Sequence, residues 1–452
     1  VRRRDSAVYL SLALAVLAGA CSGSASGTIQ LVTGVETDTF SLAPAPVKLE
    51  IQSVGSSGKA TVLATAPLPT SNVDIGQQSE STLASFQAIG LDAHGKRVVF
   101  GASLPVFWGA LDGATLPVFV QRVGAFARLP GPLGDARQAP LLADVQGQYL
   151  FIAGGSTSAS ASSTQIYDFL VLSPLTGTPT LPLAPSSVAF VGTVGWVFAS
   201  DGTAKYLDLS SNTSTAIPSL SGASFADIAG GTTVVGDSGI QYVVGATRGG
   251  GSPTSAILVI DPSDTSDTNY QVAGRPRWVN LTYPRLGASA TWVEGRGLVV
   301  AGGSATAPGV EILAAGAFMT APLAYPPDDT VFAGATALSN ESVLLAGGVS
   351  VQSGAQGSRT LDLTCAASCT PATWQPAPPD ALIEAQAFPL SATEVLVVGN
   401  ALSGATHVYR MTSSHTTEVP TKVPHVNARA IVTPVGSIAI VGGSDLIETF
   451  VL

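Results

Sequence analysis

Charge is scarce in this chain: only 11% of its 452 residues are Asp, Glu, Lys or Arg, against about 25% in a typical soluble domain. What charge there is leans acidic, with 20 basic residues against 30 acidic ones and a formal net charge of −10. That balance excludes the basic footprint a nucleic-acid or polyanion binder needs. Aromatic residues make up 6%, too few for the two girdles of an outer-membrane barrel. Past the first twenty residues no apolar run approaches the about 20 residues of a spanning helix. The four histidines, His94, His407, His415 and His425, form no HExxH pair, and neither a Gly-x-Ser-x-Gly elbow nor a Walker loop is present. No metal or cofactor is expected.

Glycine and proline are abundant, 49 and 30 residues, and 46% of the chain is hydrophobic. The two come together in a recurring phrase. Gly297-Leu298-Val299-Val300-Ala301-Gly302-Gly303 is an apolar run closed by a glycine pair. It returns as Val343 to Gly348, Ile438 to Gly443 and Tyr149 to Gly155, with a worn copy at Val395 to Asn400. Two more degenerate copies lie at Gly195 to Gly202 and Ile240 to Ala246, giving seven units. Short apolar runs bounded by glycine are strands buried on both faces. In the better units an apolar strand precedes the phrase, as at Ala288 to Val293, and two more follow, at Gly309 to Leu313 and Ala317 to Thr320. Four strands per repeat of roughly 50 residues match one blade of a β-propeller.

With the diglycine after its second strand, the repeat resembles the kelch motif, as in the central domain of galactose oxidase. The resemblance runs from Arg137 to Leu452 and keeps the diglycine in four of seven units. It implies a seven-bladed kelch-like β-propeller and says little about activity. No position matches the copper-binding histidines and tyrosines or the cysteine–tyrosine crosslink of that oxidase, so its chemistry is not carried over.

The first residues read as an address. Arg2, Arg3 and Arg4 precede an apolar stretch from Ala7 to Ala20, and Leu17-Ala18-Gly19-Ala20-Cys21 resembles a bacterial lipobox. Residues 1–21 are therefore expected to be a lipoprotein signal ending at an acylated Cys21, the alternative being an ordinary signal peptide. A flexible tether over 22–27 follows. Alternating strands such as Val47 to Ile51 then suggest a small Ig-like β-sandwich over 28–113, or else an arm packed on the propeller. The propeller is assigned to 114–452. Its last unit lacks a fourth strand, and the segment Ala125 to Leu129 is expected to supply it beside Ile447 to Val451, because an open ring would leave unpaired edges.

Three groups of residues are candidates for function. Arg137, Arg285 and Arg429 stand near the starts of first strands, the first two 17 residues before a diglycine; they either ring the channel mouth and meet a ligand, or bind carbonyls of the next blade. Cys365 and Cys369, in an exported chain, are expected to form a disulfide. Asp261 to Asp267 clusters three acids that either hold calcium or make a plain turn. The whole reads as an all-β, monomeric, lipid-anchored protein of the bacterial cell envelope. Its expected role is non-enzymatic binding or scaffolding of a protein or carbohydrate; a carbohydrate-active enzyme using the channel mouth is the alternative.

Overall fold

The computed structural model describes residues 23–156, 162–181, 183–264, 274–374, 378 and 381–452. Cys21 and the signal segment lie outside the described residues. The fold is all-β, relieved by four short 3-10 turns among the described residues.

The N-terminal region is two sheets facing each other. One has the order Asn72–Ser79, Ser24–Val32, Thr115–Phe119, with the last pair parallel. The other runs Ala60–Pro67, Lys48–Gly55, Leu83–Leu91, Arg97–Ala102, Gln121–Arg122. Period-two patterning fixes their inner faces: Leu83–Leu91 alternates half-buried positions with buried Ala84, Phe86 and Ala88. These meet Ile29, Leu49, Ile51 and Val118 around Trp108, whose ring lies 5.0 Å from that of Phe86 and whose indole N–H donates to the Ala25 carbonyl.

Two sequence boundaries need correction. Of the expected tether 22–27, residues 24–27 are not free, since they open the strand Ser24–Val32, which pairs first with Asn72–Ser79 and further along also with Thr115–Phe119. Its buried Ala25, Ile29 and Leu31 belong to the sandwich core, and the Ser/Gly composition hid this alternation. The sandwich also does not stop at 113: Thr115–Phe119 pairs with Ser24–Val32, and Gln121–Arg122 with Arg97–Ala102.

Among the described residues beyond Arg122 are seven four-stranded antiparallel sheets and two smaller ones. Six are built from consecutive chain, starting with the strands Leu141–Val145, Ser187–Val191, Thr232–Val235, Ser289–Val293, Gly334–Ser339 and Ile383–Ser391. The seventh joins Arg429–Val432, Ile438–Val441 and Glu448–Phe450 to Phe126–Arg128. Phe126 is opposite Phe450 and Arg128 opposite Glu448, with further bonds from Gly124 to Val451 and from Leu129 to Ile447. The expected pairing of the two distant segments is thus present.

Each second strand is the apolar run read from the sequence, from Tyr149–Ala153 to Ile438–Val441, and each is almost wholly buried. First strands of successive sheets adjoin around a common axis, and Leu141–Val145 closes the circle against Arg429–Val432. The molecule is a β-propeller with a sandwich docked on its closing sheet. Gln121 and the Thr449 hydroxyl meet at 2.8 Å, and Arg128 Nε donates to Glu36 Oε1 at 2.8 Å. Burial works to raise the Glu36 carboxyl, but the Arg128 hydrogen bonds and charge outweigh it and hold the group below its ordinary range.

Candidate functional site

The glycine pairs explain where two of the three arginines go. Gly154, Gly155, Gly302, Gly303, Gly347, Gly348, Gly442 and Gly443 all have left-handed φ, a double turn only glycine makes without strain. A Cβ on Gly303 would sit 2.7 Å from the Leu286 carbonyl, and one on Gly443 2.1 Å from the Val426 nitrogen. The turn aims the first glycine's carbonyl inward, where a buried acceptor must find a donor.

Arg285 supplies it, donating from Nη1 to Gly302 O at 2.7 Å while Nε and Nη2 reach Glu311 Oε1 at 3.0 and 2.7 Å. Both side chains are 0% exposed. Glu311 also accepts from the Thr282 amide at 2.8 Å and from the Thr320 hydroxyl. Arg137 does the same for Gly154 O at 3.5 Å and Ser163 O at 2.7 Å, held by Asp135 at 2.8 Å. Neither arginine lies in the channel lining. They are ties inside the fold.

The residue in the corresponding place of the seventh sheet is His425, which sequence reading passed over. Its Nδ1 meets Gly442 O at 2.7 Å, again 17 residues on, and its Nε2 lies 3.8 Å from Glu448. Glu448 accepts from the Lys422 and Val423 amides at 2.8 and 2.6 Å. Glu448 and Glu311 hold equivalent register positions, opposite Ile440 and Val300. The shared spacing of 17 was the signal that could have found His425. In the Gly347 sheet the charges are swapped: Arg359, opposite Leu345, donates to Asp328 at 2.5 Å.

Arg429 is the exception. It begins the first strand itself, rather than preceding it by four residues, and it lines the central cavity. That cavity has a volume of about 460 Å³ and is walled by the first strands. Arg429 Nη1 donates to Glu384 Oε2 at 2.6 Å, the side chains being 24% and 38% exposed. Among the residues lining the cavity these are the two ionised ones. Glu384 has φ 51° and the neighbouring Phe332 φ 62°; the Ala385 amide bonds the Phe332 carbonyl at 3.1 Å. The same position is left-handed in Ala139, Gly287 and Asn427, so the conformation belongs to the repeat, at a cost of about 1–3 kcal/mol where the residue is not glycine. The signal that could have found them is spacing: Phe332 and Glu384 stand 16 residues before Gly348 and Asn400, as Gly287 does before Gly303.

The other candidates stand apart from this site. Cys365 and Cys369 are disulfide-bonded, with Cα atoms 5.7 Å apart. Asp261 Oδ1 accepts from the Ser263 amide and hydroxyl at 2.9 and 2.6 Å, the bonding of a turn; Thr265 to Asp267 lie outside the described residues. His407 pairs with Glu418 at 2.9 Å, and His415 with Ser414 at 2.7 Å. Among the described residues no group of three or more His, Cys, Asp or Glu is arranged to hold a metal.

No family model and no curated protein sequence matches this chain. Similar solved structures include one of YCF48 bound to D1 peptide, at 12% identity, covering 72% of this chain and 94% of that one with a TM-score of 0.43. Another is a crystal structure of the mitotic checkpoint complex, at 12% identity, 73% and 91% coverage and a TM-score of 0.45.

Proposed function

We propose that this protein is a non-enzymatic binding or scaffolding module of the bacterial cell envelope, a seven-bladed kelch-like propeller behind an Ig-like sandwich, held to the membrane through an acylated Cys21 and acting as a monomer. The ligand is a protein or a glycan. The observation that carries the reading is the Glu384–Arg429 pair at one end of the central cavity. A carboxylate and a guanidinium that neutralise each other offer fixed hydrogen-bonding directions and no free acid–base couple. Glycoside hydrolysis ordinarily uses two carboxylates across one bond, and the cavity wall presents one.

Two experiments test this. An envelope extract passed over the immobilised chain should yield a captured protein or glycan, and Arg429→Glu should lose it. Turnover of a saccharide by the purified chain, abolished by Glu384→Gln, would establish the carbohydrate-active alternative instead. For the anchor, Cys21→Ala should leave a protein that no longer partitions into detergent; unchanged partitioning would refute lipid attachment.

A further inference from the structure

We propose that the central cavity takes a short neutral saccharide. This deepens the binding reading above and rests on it.

The wall mixes hydrogen-bonding and apolar groups at each depth. Thr232, Ser289, Gln386 and Arg429 stand at one level, opposite Val244, Ala301, Val398 and Val441, the residues that precede a glycine. Thr291, Phe388 and Ile431 share the next level, two residues or about 7 Å further along. Ala288, Ala290, Ala333 and Ala335 between them carry small side chains and keep the cavity wide. Its volume of about 460 Å³ falls within the about 300–1,000 Å³ of small-ligand sites.

Some of these polar groups are spent inside the fold. Ser289 donates to Ala333 O at 2.6 Å and Thr233 to Val188 O at 2.6 Å. Gln386 donates to Ala430 O at 2.7 Å and accepts from its amide at 2.6 Å. Others remain available. The Thr232 and Thr291 hydroxyls have no hydrogen-bond partner among the described residues. They line the cavity from the third and fourth sheets around the axis, while Glu384 and Arg429 line it from the sixth and seventh, on the far side of the ring. The Glu384–Arg429 contact uses Nη1 and Oε2, which leaves Nε and Nη2 as donors and Oε1 as an acceptor.

A saccharide carries polar and apolar groups in the same fine mixture. Each hydroxyl both donates and accepts, so one can take a guanidinium N–H while its neighbour gives to the carboxylate. Further hydroxyls reach Thr232 and Thr291 across the cavity. The C–H face of the sugar ring is apolar and suits Phe388 and Ile431, or half-buried Phe332 at the mouth. The Phe332 ring is seated over Gly249 and Gly287, where a Cβ would lie 3.0 and 3.4 Å from its atoms. Charged ligands fit worse. A carboxylate meets Glu384, an ammonium meets Arg429, and a zwitterionic peptide must break the 2.6 Å pair to use both. An alkyl chain would cover the free hydroxyls without bonding them.

The test is calorimetric titration of the full chain with maltotriose, cellotriose and triacetylchitotriose, beside trigalacturonate and trialanine. At least one neutral sugar should bind about tenfold more tightly than either charged probe, because a covered charge without a partner costs that much. Thr232→Val with Thr291→Val removes both hydroxyls and nearly keeps their shape. It should weaken the best sugar about tenfold and leave the thermal midpoint unmoved. Should that variant not fold, Phe388→Leu takes its place and should weaken binding severalfold. Failure of all three sugars to bind overturns the saccharide. So does a charged probe that binds as tightly as the best sugar, or binding indifferent to the wall variants. An envelope extract that then still yields a protein lost with Arg429→Glu would leave the broader binding reading standing.

Discussion

The sheets that keep a glycine pair and those that have lost it are held together differently. In the first group a left-handed double turn points a carbonyl into the core in the sheets of Gly154, Gly302 and Gly442. A buried donor must meet that carbonyl, and a buried acid or amide stands against the donor. In the worn group the demand never arises. The places taken elsewhere by Arg285 and Glu311 hold Ile228 and Leu258 in one sheet, and Leu382 and Tyr409 in another, all buried. In those two sheets both positions are uncharged, while in the remaining worn sheet Lys205, opposite Val197, holds the place of Glu311. The second and third sheets are joined by rings instead: Phe198 lies 5.5 Å from Phe225, which lies 5.7 Å from Trp278. Where the double turn is kept at Gly154, Gly302 and Gly442, a buried polar tie accompanies it.

The sharpest way to break this contrast is Arg285→Met. It strands the Glu311 carboxylate at 0% exposure and should lower unfolding stability by about 3–5 kcal/mol, as uncompensated buried charges do. Adding Glu311→Leu should restore most of the loss in urea unfolding; a double variant no better than the single one would show that the seam is not an ion-pair seam. Next in size, Gly303→Ala adds a Cβ 2.7 Å from the Leu286 carbonyl at φ 72° and should cost about 2 kcal/mol. A thermal midpoint unmoved by that change would contradict the turn argument. In the aromatic seam, Phe225→Leu should cost only about 1 kcal/mol, because it roughly conserves volume and strands no polar group.

The smallest effect concerns acid. Glu36 is held below its ordinary range in the folded state. Its contribution is present above the unfolded carboxylate value, about 4.3, and fades as pH falls through the lower folded value. Glu36→Gln, costing about 1 kcal/mol, should flatten that acid limb in a pH series of melting curves, while Phe225→Leu should leave the limb unchanged.

How much of this was legible follows from the same physics. Second strands are buried on both faces, so Leu298 to Ala301 or Val343 to Ala346 announce themselves as unbroken apolar runs, and the glycines that end them are forced by φ. The closing strand was legible because a ring cannot leave an edge. The ends of the sandwich were not: Ser24–Val32 buries Ala25, Ile29 and Leu31 between serines, glycine and threonine, a composition shared with linkers. The sequence left both roles open for all three arginines because Arg429 looks like Arg137 and Arg285 in one dimension, though only the latter two stand four residues ahead of a first strand. Glu384 and Phe332 were missed because neither residue type favours the left-handed backbone that their repeat position takes, where another sheet has Gly287.

The closing sheet also sets the order in which the chain can fold. Phe126–Arg128 leaves the ribosome early, and Glu448–Phe450 is almost the last thing made. Contacts across this seam span up to 328 residues, and such long-range pairings form slowly. Until then the early strand has a bare edge. Glu36, already delivered with the sandwich, accepts from both the backbone amide and the guanidinium of Arg128, at 3.3 and 2.8 Å. The sandwich thus reaches this strand across a sequence separation of 92 residues, a much shorter closure than the one that brings Glu448–Phe450 beside it.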